Sequence, residues 1–176
     1  MCIRDRNNTL DPQDYKNIIV VGCHVKEFDW TENFIQNYTK RLPSESQDND
    51  LSYNLATVYF HKKDYPKVIE QLRDVEYKNL IYVMGGRQLL LETYYEMKEY
   101  KALDSLLDSY SIYLRRNKMI SKEIRQQRMN GIRFTRKLIS VAPYDKKRIE
   151  KLKEQIINCK ALAAKKWLLE KVEELT

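Results

Sequence analysis

Between Asn54 and Val75 the apolar positions fall into two short stripes with helical spacing. Leu55, Ala56, Tyr59 and Phe60 share one helix face, and Val68, Ile69, Leu72 and Val75 make a second. Lys63-Asp64-Tyr65 lies between them; Asp64 is a capping residue type, and Pro66 falls in a first turn, where its missing N–H costs nothing. The stretch predicts a helical hairpin. The turn motif returns 35 residues later as Lys98-Glu99-Tyr100 and 37 residues earlier as Lys26-Glu27-Phe28. The later copy carries Leu90, Leu91, Tyr94 and Tyr95, then Leu103, Leu106, Leu107 and Tyr110. One hairpin cannot bury either stripe alone, so neighbours must stack. The expected fold is all-α, an α-solenoid of stacked antiparallel hairpins with about seven to nine helices. Leu55, Ala56, Tyr59, Tyr65, Leu72, Leu91, Tyr94, Tyr100 and Leu107 are assigned to packing between repeats.

In chain order the pattern predicts hairpins over residues 12–42, 49–78 and 80–116, then helices over 119–140 and 145–174 as a degenerate repeat and C-terminal cap. Residues 1–10 read as a disordered or non-native leader, because Met1 to Arg6 match nothing in the repeat. The run Ile18 to Val21 offers no polar cap, which raises the expectation that upstream repeats are missing and that this face is open. Arg41 to Asp50 reads as a polar loop. Gly85-Gly86 interrupts the helix from Leu80 to Met97 and reads as close packing of a neighbouring helix or a frayed first turn, with a ligand-contacting backbone as the alternative. Ser121 is expected to start the next helix, with Ile120, Ile124, Gly131, Ile132, Leu138 and Ile139 inward. Pro143 ends it, Asp145 caps the helix after it, and a bend is expected near Asn158 to Lys160.

These hairpins resemble the tetratricopeptide repeat family, whose first helix carries a small residue and a Tyr. Ala56, Tyr59, Tyr65, Leu72 and Val75 fall on that pattern. Ser52 and Arg87 stand where the family has a large aromatic, Val68 and Leu103 where it has Ala, and Leu80 where a Pro closes the unit. The resemblance covers residues 12–114 in three degenerate units. It implies a surface for partners rather than an activity.

Composition narrows the function classes. Only 4 Gly and 4 Pro among 176 residues, with 32% charged, fit a helix-rich chain. No apolar run approaches the roughly 18 residues that span a membrane. Cys2, Cys23 and Cys159 are odd in number and lack CxxC spacing, which points to a reducing compartment, the cytoplasm. His24 and His61 sit beside turns without metal-ligand spacing, Asp104 and Asp108 are an isolated i,i+4 pair, and Ser105 and Ser109 have no His within sequence reach. No phosphate-binding glycine loop is present. The expectation is a non-enzymatic protein without metal or cofactor.

Two surface features remain. Residues 115–137 carry nine basic residues against one acid, and Lys118, Lys122, Arg125, Arg133 and Arg136 fall on one stripe, a candidate ridge for an anion or partner. Tyr53 and Tyr82 are candidate groove tyrosines for a peptide. The leading reading is a scaffold for a protein or peptide partner, acidic where it meets the ridge. The competing reading is a nucleic-acid-associated protein gripping the phosphate backbone through helix 115–137.

Overall fold

In a computed structural model that describes residues 10–43, 47–73 and 80–176, the chain is all-helical, with no strand among the described residues. It divides into two compact units that meet in sequence at Lys98–Glu99. The first holds α1 (Pro12–His24), α2 (Phe28–Tyr38) with a following 3-10 turn (Thr39–Arg41), α3 (Gln47–His61), α4 (Tyr65–Arg73) and α5 (Leu80–Glu96). The second holds α6 (Tyr100–Arg116), α7 (Lys122–Ser140), α8 (Lys146–Asn158) and α9 (Lys165–Glu173). Residues 1–9 of the expected leader and the 74–79 connection with Val75 lie outside the described residues; Leu10, the last residue of that leader, is buried and its N–H donates to the Arg41 carbonyl at 2.9 Å.

The three turn motifs share one backbone solution. Lys26, Lys63 and Lys98 are all left-handed, with φ of 63°, 61° and 59°. The Lys26 N–H donates to the Cys23 carbonyl and the Glu27 N–H to that of Gly22; Lys63 and Asp64 repeat this with Phe60 and Tyr59, and Lys98 donates to Tyr95. At the first two turns this is the paired 6→1 and 5→2 closure of a helix C-terminus, here built on lysine where glycine is usual. The chain reverses at once into the next helix, which places α2 against α1 and α4 against α3.

In the first unit the α1–α2 hairpin packs on α3 through both helices, and α5 packs on α3 and α4. Its core runs from Tyr15, Ile19 and Ile35 through Leu55, Ala56, Val58 and Tyr59 to Val68 and Leu72. Small residues set the closest approaches. A Cβ at Gly22 would lie 2.1 Å from Thr31 Oγ1, and one at Gly85 would lie 2.8 Å from the Tyr53 ring. Helix α5 runs unbroken through the glycine pair, and Gly85 gives the close helix packing that the pattern suggests, with Tyr53 of α3 lying on it. The expected 41–50 loop is also shorter. Gln47 Nε2 donates to the Leu42 carbonyl at 2.8 Å, anchoring the start of α3, so Asp50 sits inside a helix and is 1% exposed.

In the second unit α7 packs on α6, α8 and α9, and α8 packs on α9. Leu103, Leu107 and Leu114 meet a core with Ile132, Phe134, Leu138, Ile149, Ile156, Leu168 and Val172. Ser121 Oγ accepts from the Ile124 N–H and Asp145 from the Arg148 N–H, so both caps stand where the sequence puts them. Two assignments change. Ile124 lies on the exposed side of α7, in its first turn, and Tyr100 is 44% exposed at the start of α6 rather than packed. The expected bend near Asn158 is a full break. Lys165 Nζ donates to the Ile157 and Cys159 carbonyls, Asn130 Nδ2 to Ala161, and the Ala163 N–H to Gln127, pinning residues 159–164 across α7.

Candidate functional site

A concavity of about 650 Å³ runs along α1 beside the first turn. Its floor is apolar: Ile18, Val21, Gly22 and Val25 of α1, with Trp30 of α2. Asp14 and Asn17 stand at one end and Glu27 at the other. The α1 positions step by four, three and four from Asp14 to Val25, a single helix stripe. Val21 is 59% exposed, Val25 57% and Trp30 54%. Trp30 is backed by a ring stack along α2, at 5.5 Å from Phe34, which lies 4.8 Å from Tyr38 and 5.6 Å from Tyr15. A pre-positioned tryptophan over an apolar floor with polar ends is the make-up of a protein-docking anchor.

The basic ridge does not survive as one stripe. Lys118 lies in the turn before α7, because Ser121 starts that helix. Arg125 turns inward: its Nε donates to the Leu114 carbonyl at 2.8 Å and its Nη2 to Asn117 and Ile120, so the guanidinium closes the C-terminus of α6. Arg136 pairs with Asp108 of α6, and Arg133 lies over the Phe134 ring at 4.9 Å. Lys122 is exposed. A different basic surface takes its place between α7 and α8. Arg133, Lys137, Lys151, Glu154 and Gln155 line a trough of about 530 Å³, and a second concavity of about 270 Å³ shares Lys137 and Lys151 and extends to Arg148. Lys137 Nζ donates to the neutral Gln155 amide oxygen at 2.6 Å and sits 5.5 Å over the Phe134 ring.

The groove tyrosines are interior. Tyr82 is buried and donates a short hydrogen bond to the Asp50 carboxylate, which with burial drives its phenol pKa upward. Tyr53 lies edge-on to it at 5.6 Å and covers Gly85. Lys16 Nζ sits 5.0 Å over the Tyr82 ring. Tyr15, whose hydroxyl meets that of Thr39 at 2.7 Å, is pushed up by burial to about 12. These groups form a structural seam among α1, α3 and α5. The two tyrosines are aromatic and helical, as the pattern says, but nothing in their own stretches reveals that Asp50 lies opposite.

Other candidates stay apart. His24 and His61 are exposed, Ser105 and Ser109 donate to carbonyls of their own helix, and Asp104 is exposed. Cys23 is buried and its thiol is pushed up by burial to about 11, the opposite of a reactive cysteine. Among the described residues no group of three or more His, Cys, Asp or Glu could hold a metal ion, and no helix is long and apolar enough to cross a membrane.

No family model matches the chain, and neither a curated protein nor a solved structure does.

Proposed function

We propose that this protein is a non-enzymatic interaction scaffold of tetratricopeptide-like hairpins, and that it holds a protein partner in the groove along α1. The observation that carries the reading is the groove itself, an open apolar stripe ending in carboxylates and flanked by an exposed, stacked tryptophan. The shared lysine turn at Lys26, Lys63 and Lys98 supports the repeat reading, with the hairpins arranged as a short solenoid. Its place of action is the cytoplasm, a reading supported by Cys23 and Cys159 being free thiols. The test compares full-length protein with Val21→Asp and Trp30→Ala after crosslinking, followed by titration of the identified partner. Both variants are expected to lower affinity at least tenfold with an unchanged thermal melt, while Lys122→Glu leaves it intact. A partner held equally by Val21→Asp overturns the reading.

The trough between α7 and α8 favours a second reading, anion binding, in place of the ridge. Reversing Arg125 would damage the end of α6, so Arg133, Lys137 and Lys151 are the residues to reverse. A phosphate-tracking surface loses affinity steeply as salt rises from about 50 to 200 mM. Nucleic-acid binding that is insensitive both to salt and to that reversal removes this reading.

A further inference from the structure

The molecule contains a covered copy of its own open groove. At the 37-residue spacing of the first two turns, Asp14, Ile18, Val21 and Val25 of α1 correspond to Leu51, Leu55, Val58 and Lys62 of α3. Leu55 and Val58 are buried, and α2 packs across α3. The α2–α3 contact is sealed by acids on the covering helix. Glu32 accepts from Tyr59 Oη at 2.8 Å, and Asp29 meets Lys62 Nζ at 2.9 Å. The covered stripe thus supplies the cation and the cover supplies the acids.

In the open copy the cation is missing and an acid is added: Asp14 stands in place of Leu51, while Glu27 matches the acid Asp64. Val25 stands in place of Lys62, and the charges lining the groove are Asp14 and Glu27. Among the described residues neither carboxylate is in an ion pair, while Lys16 beside Asp14 is turned to the Tyr82 ring and Lys26 is outside the lining. We infer, resting on the docking reading above, that the occupant is an amphipathic α-helix laid along α1 as α2 lies along α3, with Lys or Arg at both ends of its apolar stripe. Asp14 lies in the first turn of α1 and Glu27 folds back on its last turn, so they are separated by about 15 Å of helix at 1.5 Å per residue. The two cations of the partner helix therefore stand about 10–11 residues apart. The apolar stripe supplies affinity through Val21, Val25 and Trp30, and the end charges fix register and choice of partner.

The experiment is a selection from displayed helical peptides with one fixed apolar stripe and Lys, Glu or Gln varied at the outer positions. Full-length protein is the bait, with counter-selection on Val21→Asp. The expected result is enrichment of two lysines about 10–11 residues apart, at least tenfold tighter than the matched Glu peptide at low salt. The double reversal Asp14→Lys with Glu27→Lys should switch the enrichment to Glu. Val21-dependent enrichment without a preference for lysine overturns this inference and leaves the docking reading standing. Absence of any Val21-dependent enrichment overturns both. Two rival occupants give their own signatures, each of which overturns the inference. Enrichment seen only after Ile3, Arg4 and Arg6 are changed to Ser assigns the groove to the N-terminal segment. A concentration-dependent dimer abolished by Val21→Asp assigns it to a second copy.

Discussion

Val21 and Val58 are the same residue type at the same point of the repeat, yet one is 59% exposed and the other fully buried. The local chain does not distinguish them. Both sit on a helix of a hairpin closed by a left-handed lysine, with apolar neighbours on the same stripe. The difference is the neighbour: α2 lies against α3, and no described helix lies on the outer stripe of α1. An apolar stripe thus has two meanings, core or contact surface, and what packs against it decides between them.

The comparison is broken most severely by truncating both stripes. Leu55→Ala is expected to destabilise by about 2–5 kcal/mol, the range for buried large-to-small changes, while Val21→Ala stays within about 0.5 kcal/mol, as surface changes do. Denaturant melts measure both, and equal losses would mean that the two stripes are buried alike. Next in size is Gly22→Ala. Its Cβ would fall on Thr31 Oγ1, and Thr31 already donates to the Glu27 carbonyl at 2.6 Å, so the two helices must part. A loss of about 1–3 kcal/mol is expected, and Thr31→Ala should recover part of it in a double-mutant cycle. A non-additivity near zero would show that this contact does not hold α1 to α2.

The features legible in the chain alone are the local ones. Hairpins, turns and the caps at Ser121 and Asp145 depend on residues within one turn of each other, and both caps are formed as the pattern indicates. Leu55, Ala56, Tyr59, Leu72, Leu91 and Leu107 are buried, because helical spacing names the inward face. What failed is long-range. A basic residue on a helix stripe looks the same whether it faces water or, like Arg125, reaches the open carbonyls of another helix. Tyr53 and Tyr82 resemble groove residues until Asp50 and Gly85 are placed beside them. The groove itself draws half its identity from Trp30 and Glu27, on the far side of the turn from the α1 stripe.

Smaller effects sharpen the likeness of the two hairpins. Replacing Lys26 or Lys63 by Gly relieves a left-handed side-chain conformation and should stabilise each by up to about 1 kcal/mol, equally at both turns. Loss of stability at either turn would mean that the lysine side chain contributes something glycine lacks. The smallest expected change is at the covered stripe's charge. Lys62→Met removes ion pairs to Asp29 and Glu32, the former 90% exposed, and should alter stability by no more than about 1 kcal/mol in a chemical melt. A larger loss would make the α2–α3 seam electrostatic rather than apolar.

The central claim, that the open stripe of α1 is where a partner helix lies, is tested most directly by hydrogen exchange on the full chain with and without a selected lysine-ended peptide. Binding should slow exchange between Asp14 and Trp30 and leave α7 and α8 unchanged, because a covered helix opens less often. Protection centred on residues 133–155, or none along α1 at saturating peptide, would contradict it.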